Sequence, residues 1–141
     1  MATERVFLSD DGATAALGQQ LARELKPGDL VLLSGELGAG KTTLARALIR
    51  ERVGDAGMEV PSPSFALVQP YEVAGQVILH ADLYRIADPR EVDELGLFDS
   101  PDAIVLVEWP ERDPELMSRD AMVVTLSVPP DGKGRIAEIA R

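Results

Sequence analysis

Gly35-Glu36-Leu37-Gly38-Ala39-Gly40-Lys41-Thr42 stands between the unbroken apolar run Leu30 to Leu33 and a helically spaced set, Leu44, Ala45, Leu48, Ile49 and Val53. The string satisfies the phosphate-binding P-loop pattern, and it lies where that pattern needs to lie, after a buried strand and at the start of a helix. Its glycines let successive backbone N–H groups point into one concavity, and the helix N-terminus adds partial positive charge for a β-phosphate. Lys41 is then expected to reach the β- and γ-phosphates, while the Thr42 hydroxyl holds Mg²⁺. The nucleotide-contacting set expected from this stretch is Glu36, Leu37, Gly38, Ala39, Gly40, Lys41, Thr42 and Thr43.

Outward from this loop, the chain reads as alternating elements. Val6 to Leu8 is a short strand, and Asp10-Asp11-Gly12 caps a helix whose Ala13, Leu17, Leu21 and Leu25 recur every fourth residue until Pro27-Gly28 ends it. The helix after the P-loop stops at Gly54. Pro61-Ser62-Pro63-Ser64 cannot be regular helix, because each proline disfavours the helical region in the residue before it. Phe65 to Val73 and Val77 to Leu83 read as a strand pair turning at Ala74-Gly75, followed by a short acidic helix from Asp88 to Leu95 and a strand from Ala103 to Val107. Met122 to Val128 alternates apolar residues with Thr125 and Ser127, the pattern of a half-exposed antiparallel strand, and Asp131-Gly132-Lys133-Gly134 joins it to a last strand. The expected fold is α/β, a P-loop NTPase-like three-layer domain with a mixed, largely parallel central sheet and antiparallel edge strands, forming one domain over residues 1–141.

A phosphate cradle needs acids for metal and water, supplied from the ends of neighbouring strands. Glu108 follows the run Ala103 to Val107 directly, and Asp82 ends the strand through Val77 to Leu79. With Lys41 they form the expected catalytic set, and with Thr42 the expected metal set. His80 shares the strand face of Asp82. Ser64 presents a hydroxyl in a loop suited to sensing a γ-phosphate. Trp109 and Arg112 complete the expected nucleotide contacts, and Arg85 is a further candidate for offsetting phosphate charge.

Composition narrows the alternatives. Fourteen basic against twenty-four acidic residues give a net charge of −10, which repels a phosphate backbone and argues against stand-alone nucleic-acid binding. No cysteine is present, which removes thiolate metal sites and cysteine nucleophiles, and one histidine cannot build a multi-histidine metal centre. The longest apolar runs reach about a quarter of a bilayer span. The N-terminal stretch lacks the basic start and apolar core of a secretory signal, so a cytoplasmic, membrane-free address is expected. No asparagine occurs, so the guanine-reading Asn-Lys-x-Asp motif of G proteins is absent. A small-molecule kinase shares the same cradle, but the segment Asp88 to Asp102 is acidic and offers no arginine-rich lid.

Four strings stand in one order on this chain: Gly-Glu-Leu-Gly-Ala-Gly-Lys-Thr-Thr at 35–43, Pro-Ser-Pro-Ser-Phe at 61–65, His-Ala-Asp-Leu-Tyr-Arg at 80–85 and Val-Glu-Trp-Pro-Glu-Arg at 107–112. Together they resemble the TsaE (YjeE) family, most closely from Leu30 to Arg112. The resemblance implies an ATP- and Mg²⁺-dependent ATPase required for threonylcarbamoyladenosine formation at position 37 of tRNA. It also implies that the chain works with TsaB and TsaD, touches tRNA only through that complex, is monomeric when free, and turns ATP over slowly alone. Lys41 and Thr42 match the family's P-loop, Asp82 its His-x-Asp-Leu-Tyr-Arg acid, and Glu108 the acid before tryptophan. Ser64 stands where the family usually has threonine, keeping the hydroxyl and losing a methyl.

Overall fold

Seven strands form one sheet in a computed structural model that describes residues 3–141. In chain order they are β1 (Thr3–Leu8), β2 (Leu30–Gly35), β3 (Val68–Val73), β4 (Gln76–Asp82), β5 (Ile104–Glu108), β6 (Met122–Ser127) and β7 (Arg135–Ala140). Their spatial order is β1-β7-β6-β2-β5-β4-β3. The four central strands run parallel, because β2 pairs in parallel with both β5 and β6, and β4 in parallel with β5. Both margins are antiparallel, β7 and β1 on one side and β3 on the other. The mixed sheet with a parallel centre is the expected one; antiparallel strands flank both of its sides. β6 is two-natured, since it lies antiparallel to β7 but parallel to β2. Alternation along it records one exposed face, which says nothing about the direction of a neighbour.

Two α-helices cover one face of the sheet. In α1 (Asp11–Glu24), the Asp10 carboxylate caps the first turn by accepting from the Ala13 amide at 2.8 Å. In α2 (Lys41–Val53), the chain leaves through Gly54 in the left-handed region, at φ 80°. Arg52 of α2 donates to the carbonyls of Ala22 and Leu25, which terminates α1 and ties the helices together. Under them Val31, Leu33, Ile78, Ile104, Leu106, Val124 and Leu126 join the buried faces of both helices in one core. The opposite face is covered by loops and short 3₁₀ turns at Pro89–Leu95, Pro110–Arg112 and Leu116–Ser118, over a second core that includes Leu32, Leu83, Val92, Val105, Val107 and Leu116.

Two sequence expectations change in detail. The strand expected from Phe65 begins at Val68, because Leu67 adopts φ 68°, donates to the Pro63 carbonyl at 2.7 Å and so closes a turn over 63–67. The expected helix from Asp88 to Leu95 is the tighter 3₁₀ form over Pro89–Leu95, anchored chiefly by Val92. β3 carries Pro70 without loss, since a margin strand has a side on which no amide is needed.

Candidate functional site

Because β2, β4 and β5 are parallel neighbours, their C-terminal ends share one edge of the sheet. Register completes the arrangement: Asp82 lies opposite Glu108, and Glu108 opposite Leu33, two residues before the P-loop glycine Gly35. His80, Asp82 and Glu108 alternate onto the face that α2 covers, so their side chains lie beside the start of that helix.

The loop from Gly35 to Gly40 needs its glycines. Gly35 has φ 149°, and a Cβ there would sit 2.4 Å from the Leu126 carbonyl oxygen of β6. Gly38 and Gly40 have φ 78° and 104°, in the left-handed region. The Ala39 amide donates to the Glu36 carbonyl at 3.1 Å. Among the described residues, no acceptor in the fold takes the amides of Gly38, Gly40, Lys41, Thr42 or Thr43. α1 is capped by Asp10, whereas α2 has glycine at its cap and no acid in its first turn. A helix start whose amides lack partners and open onto a cleft is a ready anion site.

Lys41 is 5% exposed. Its Nζ donates to the carbonyl of Gly35 and, at 2.9 Å, to that of Glu36, and it stands 4.2 Å from the centre of the Trp109 ring. Burial holds its ammonium below the ordinary lysine pKa of 10.5, against the opposing pull of Glu108, Glu111, Asp82 and Glu36. Trp109 reaches this position through a left-handed backbone, φ 59°, and its ring packs against Tyr84 with centroids 4.9 Å apart.

Glu108 is the hub of the acids. One oxygen accepts from the Thr42 hydroxyl at 2.8 Å and the other from His80 Nε2 at 2.6 Å. His80 is fully buried, and its Nδ1 has no partner. Asp82 accepts from the Tyr84 amide at 2.9 Å. Burial pushes the Asp82 carboxyl above its ordinary value, the Tyr84 amide lowers it, and the nearby charge of Glu108 raises it.

These groups line a cleft of about 620 Å³. Of the expected residues, Leu37, Gly38, Gly40, Lys41, Thr42, Thr43, Ser64, Asp82, Glu108 and Trp109 line it, together with Arg85. Ser64 lies 3.1 Å from the Ser62 hydroxyl, so both loop serines face the same space. Glu36, Ala39 and Arg112 are not on its wall. Glu36 contributes its carbonyl to Lys41, Ala39 is fully buried beneath the loop, and the Arg112 guanidinium lies 5.4 Å from the centre of the Tyr84 ring. Arg85 stands 4.3 Å over the ring of Phe65. Asp11 and Thr14 of α1 and Arg135 of β7 line the cleft without any local sequence signal, because helix packing carries the first two there and sheet pairing the third.

The donor set suits one hard cation. Thr42 and Glu108 offer oxygen ligands side by side, and a magnesium ion at a triphosphate takes most of its remaining ligands from phosphate and water. Among the described residues, no group of three or more His, Asp or Glu stands together as a metal cage. No helix among the described residues is long and apolar enough to cross a membrane.

Comparison with known proteins gives concordant matches. The family model described as threonylcarbamoyl adenosine biosynthesis protein TsaE matches residues 8–135. A tRNA threonylcarbamoyladenosine biosynthesis protein TsaE from Rickettsia felis is 37% identical over 129 residues, covering 91% of this chain and 75% of the relative. A protein of the same description from Synechocystis is 44% identical over 119 residues, covering 80% of this chain and 74% of the relative. The crystal structure of YdiB from Bacillus subtilis superposes with a TM-score of 0.77 at 25% identity, over 99% of this chain and 86% of that one.

Proposed function

The chain belongs to the TsaE family, and from that premise we propose that it is a Mg²⁺-dependent ATPase acting with TsaB and TsaD in tRNA threonylcarbamoyladenosine formation. The observation that carries the ATPase reading is the 2.8 Å contact between the Thr42 hydroxyl and Glu108, which joins the phosphate loop to the acid at the end of β5 beside five amides without acceptors. A cradle alone would support nucleotide binding. A cradle coupled to a buried acid supports attack on the terminal phosphate.

In this reading the amides of Gly38, Gly40 and Lys41 to Thr43 bind phosphate oxygens, with the positive end of the α2 dipole behind them. Lys41 exchanges the loop carbonyls it holds for phosphate oxygens, which relieves the burial of its ammonium with a charged partner. Thr42 and Glu108 would hold Mg²⁺, which when bound neutralises charge accumulating on the phosphate oxygens. Asp82, which lines the cleft opposite Glu108 across the β4–β5 pair and whose carboxyl burial holds above its ordinary value, orients the attacking water and accepts its hydrogen. The indole of Trp109 over Lys41 limits access of bulk water. The acidic surface, net −10, suits docking on a basic protein face better than direct contact with tRNA.

The test is phosphate release from ATP with Mg²⁺, by the chain alone and with purified TsaB and TsaD, beside a Lys41→Ala variant. Slow release that rises with both partners, and falls by about 10²-fold or more in the variant, is expected. Release indifferent to the partners would remove the proposed assembly. A variant as active as the parent chain would remove the ATPase reading.

A further inference from the structure

His80 takes no part in the scheme above, and the fold keeps it at a cost. It lies within β4, paired with Gln69 of β3 and Leu106 of β5, and it is fully buried. On its face of the sheet Ile78 precedes it and Leu106 stands beside it, both in the apolar core under α2. Its Nδ1 has no partner among the described residues. A buried polar atom without a hydrogen bond destabilises the fold, and an apolar side chain of similar size would carry no such atom. Departures of this kind from the packing rules gather at functional sites.

The polar contact of the imidazole is confined to one bond. Nε2 donates to Glu108 Oε2 at 2.6 Å, between two buried side chains. His80 is not on the cleft wall, so it acts on anything bound there through Glu108. The other oxygen of that carboxylate, Oε1, accepts from the Thr42 hydroxyl at 2.8 Å. With Oε2 held on the imidazole, the carboxylate cannot turn to offer both oxygens to the cleft. A cation seated beside Thr42 therefore meets one oxygen of Glu108. Such ligation suits Mg²⁺, which is small, keeps a near-ideal octahedron and takes most of its ligands from water and phosphate. Ca²⁺ is larger, takes more ligands and readily uses both oxygens of a carboxylate.

We infer that His80 is a positioning residue that sets the metal preference of the cleft, holding Glu108 to a single oxygen and so favouring Mg²⁺ over Ca²⁺ beside the nucleotide. The inference rests on the reading of Thr42 and Glu108 as the metal-holding pair and adds to it what selects the ion. Partners that orient a metal ligand from behind govern affinity for the metal, and their loss weakens it by about 10- to 100-fold.

Calorimetry of ATP binding with Mg²⁺, with Ca²⁺ and with EDTA, on the full chain and its His80→Phe and His80→Gln variants, tests this. Phenylalanine fills the imidazole's space without a donor, whereas glutamine carries an amide N–H at about the reach of Nε2. His80→Phe is expected to weaken Mg-ATP by about tenfold while Ca-ATP and metal-free ATP stay within about twofold of the parent, and His80→Gln to keep Mg-ATP within about threefold. The urea midpoint of His80→Phe is expected to move by less than about 0.5 M, because the lost bond to Glu108 is offset by removal of the unpartnered Nδ1. His80→Met, whose flexible chain adapts to the same space, serves as a second apolar variant. Equal weakening of ATP under all three conditions would show that His80 only supports the shape of the sheet edge, and would overturn the inference. Mg-ATP affinity unchanged in both apolar variants would overturn it as well. A parent chain that bound ATP equally with Mg²⁺ and with EDTA would refute the metal reading of Thr42 and Glu108, and the inference with it. One that bound no ATP under any condition would refute the phosphate-loop reading itself.

Discussion

Replacing Glu108 separates its part in holding the fold from its part in the cleft. Glu108 is 2% exposed and accepts from Thr42 and from His80, so Glu108→Ala withdraws two acceptors at once. Half-buried Thr42 can turn to water. His80 cannot: it is fully buried, its Nδ1 already lacks a partner, and its ring would lose the hydrogen bond it has. A hydrogen bond to a charged group contributes about 1.5–3 kcal/mol, and a stranded buried polar group costs about 1–3 kcal/mol. Relief from no longer burying a carboxylate offsets part of this, leaving a net loss of about 2–4 kcal/mol. Glu108→Gln keeps the volume and both bonds, with its carbonyl accepting from His80 and its amide donating to the Thr42 oxygen, so it costs less than about 1 kcal/mol. Urea denaturation followed by fluorescence of Trp109, the single tryptophan, reads the difference. With a slope of about 2 kcal/mol per molar urea, the midpoint falls by about 1–2 M for alanine and by less than about 0.5 M for glutamine. Turnover of ATP falls about 10²-fold or more in both, because the glutamine retains the shape but not the charge. Equal destabilisation by the two variants would refute the hydrogen-bond argument, and a glutamine variant with parental turnover would refute the role in the cleft.

Two further variants probe neighbouring features. Burial above all raises the Asp82 carboxyl, so the folded chain holds that proton more tightly than the unfolded chain, and this group's contribution to stability falls as pH rises from the ordinary carboxylate range through the raised value. Asp82→Asn should therefore gain stability relative to the parent across that rise, read by urea midpoints at a series of pH values, while losing about 10²-fold in turnover; a stability difference independent of pH would contradict the assignment. Gly18 sets the approach of α1 to α2, since a Cβ there would meet the Leu44 carbonyl at 2.8 Å and the Ala47 Cβ at 2.9 Å. Gly18→Ala should cost about 1–3 kcal/mol and lower the thermal midpoint by about 3–10 °C despite alanine's better helix propensity, and an unchanged midpoint would show that the helices can spread.

What could be read from the chain in order was whatever its local chemistry dictates. The unbroken apolar runs at 30–33 and 103–107 mark strands buried on both faces, and the glycines at 35, 38 and 40 mark a loop whose backbone must enter left-handed or crowded space. Together they placed Lys41, Thr42 and Glu108 in one cleft before any pairing was known. The Asp10 cap and the Gly54 stop are equally local: α1 begins and α2 ends where those residues say. Tertiary structure alone decided that β6 runs parallel to β2, that Leu67 breaks the strand expected from Phe65, and that Glu36, Ala39 and Arg112 stay off the cleft wall. It also decided that Arg135 crosses 97 positions of sequence to bind the carbonyl of Gly38. Side-chain periodicity records which face is wet, and glycine records which backbone is strained; neither records which strand will be a neighbour. That choice belongs to sheet pairing, where hydrogen bonds between distant segments are formed only once the whole core has closed.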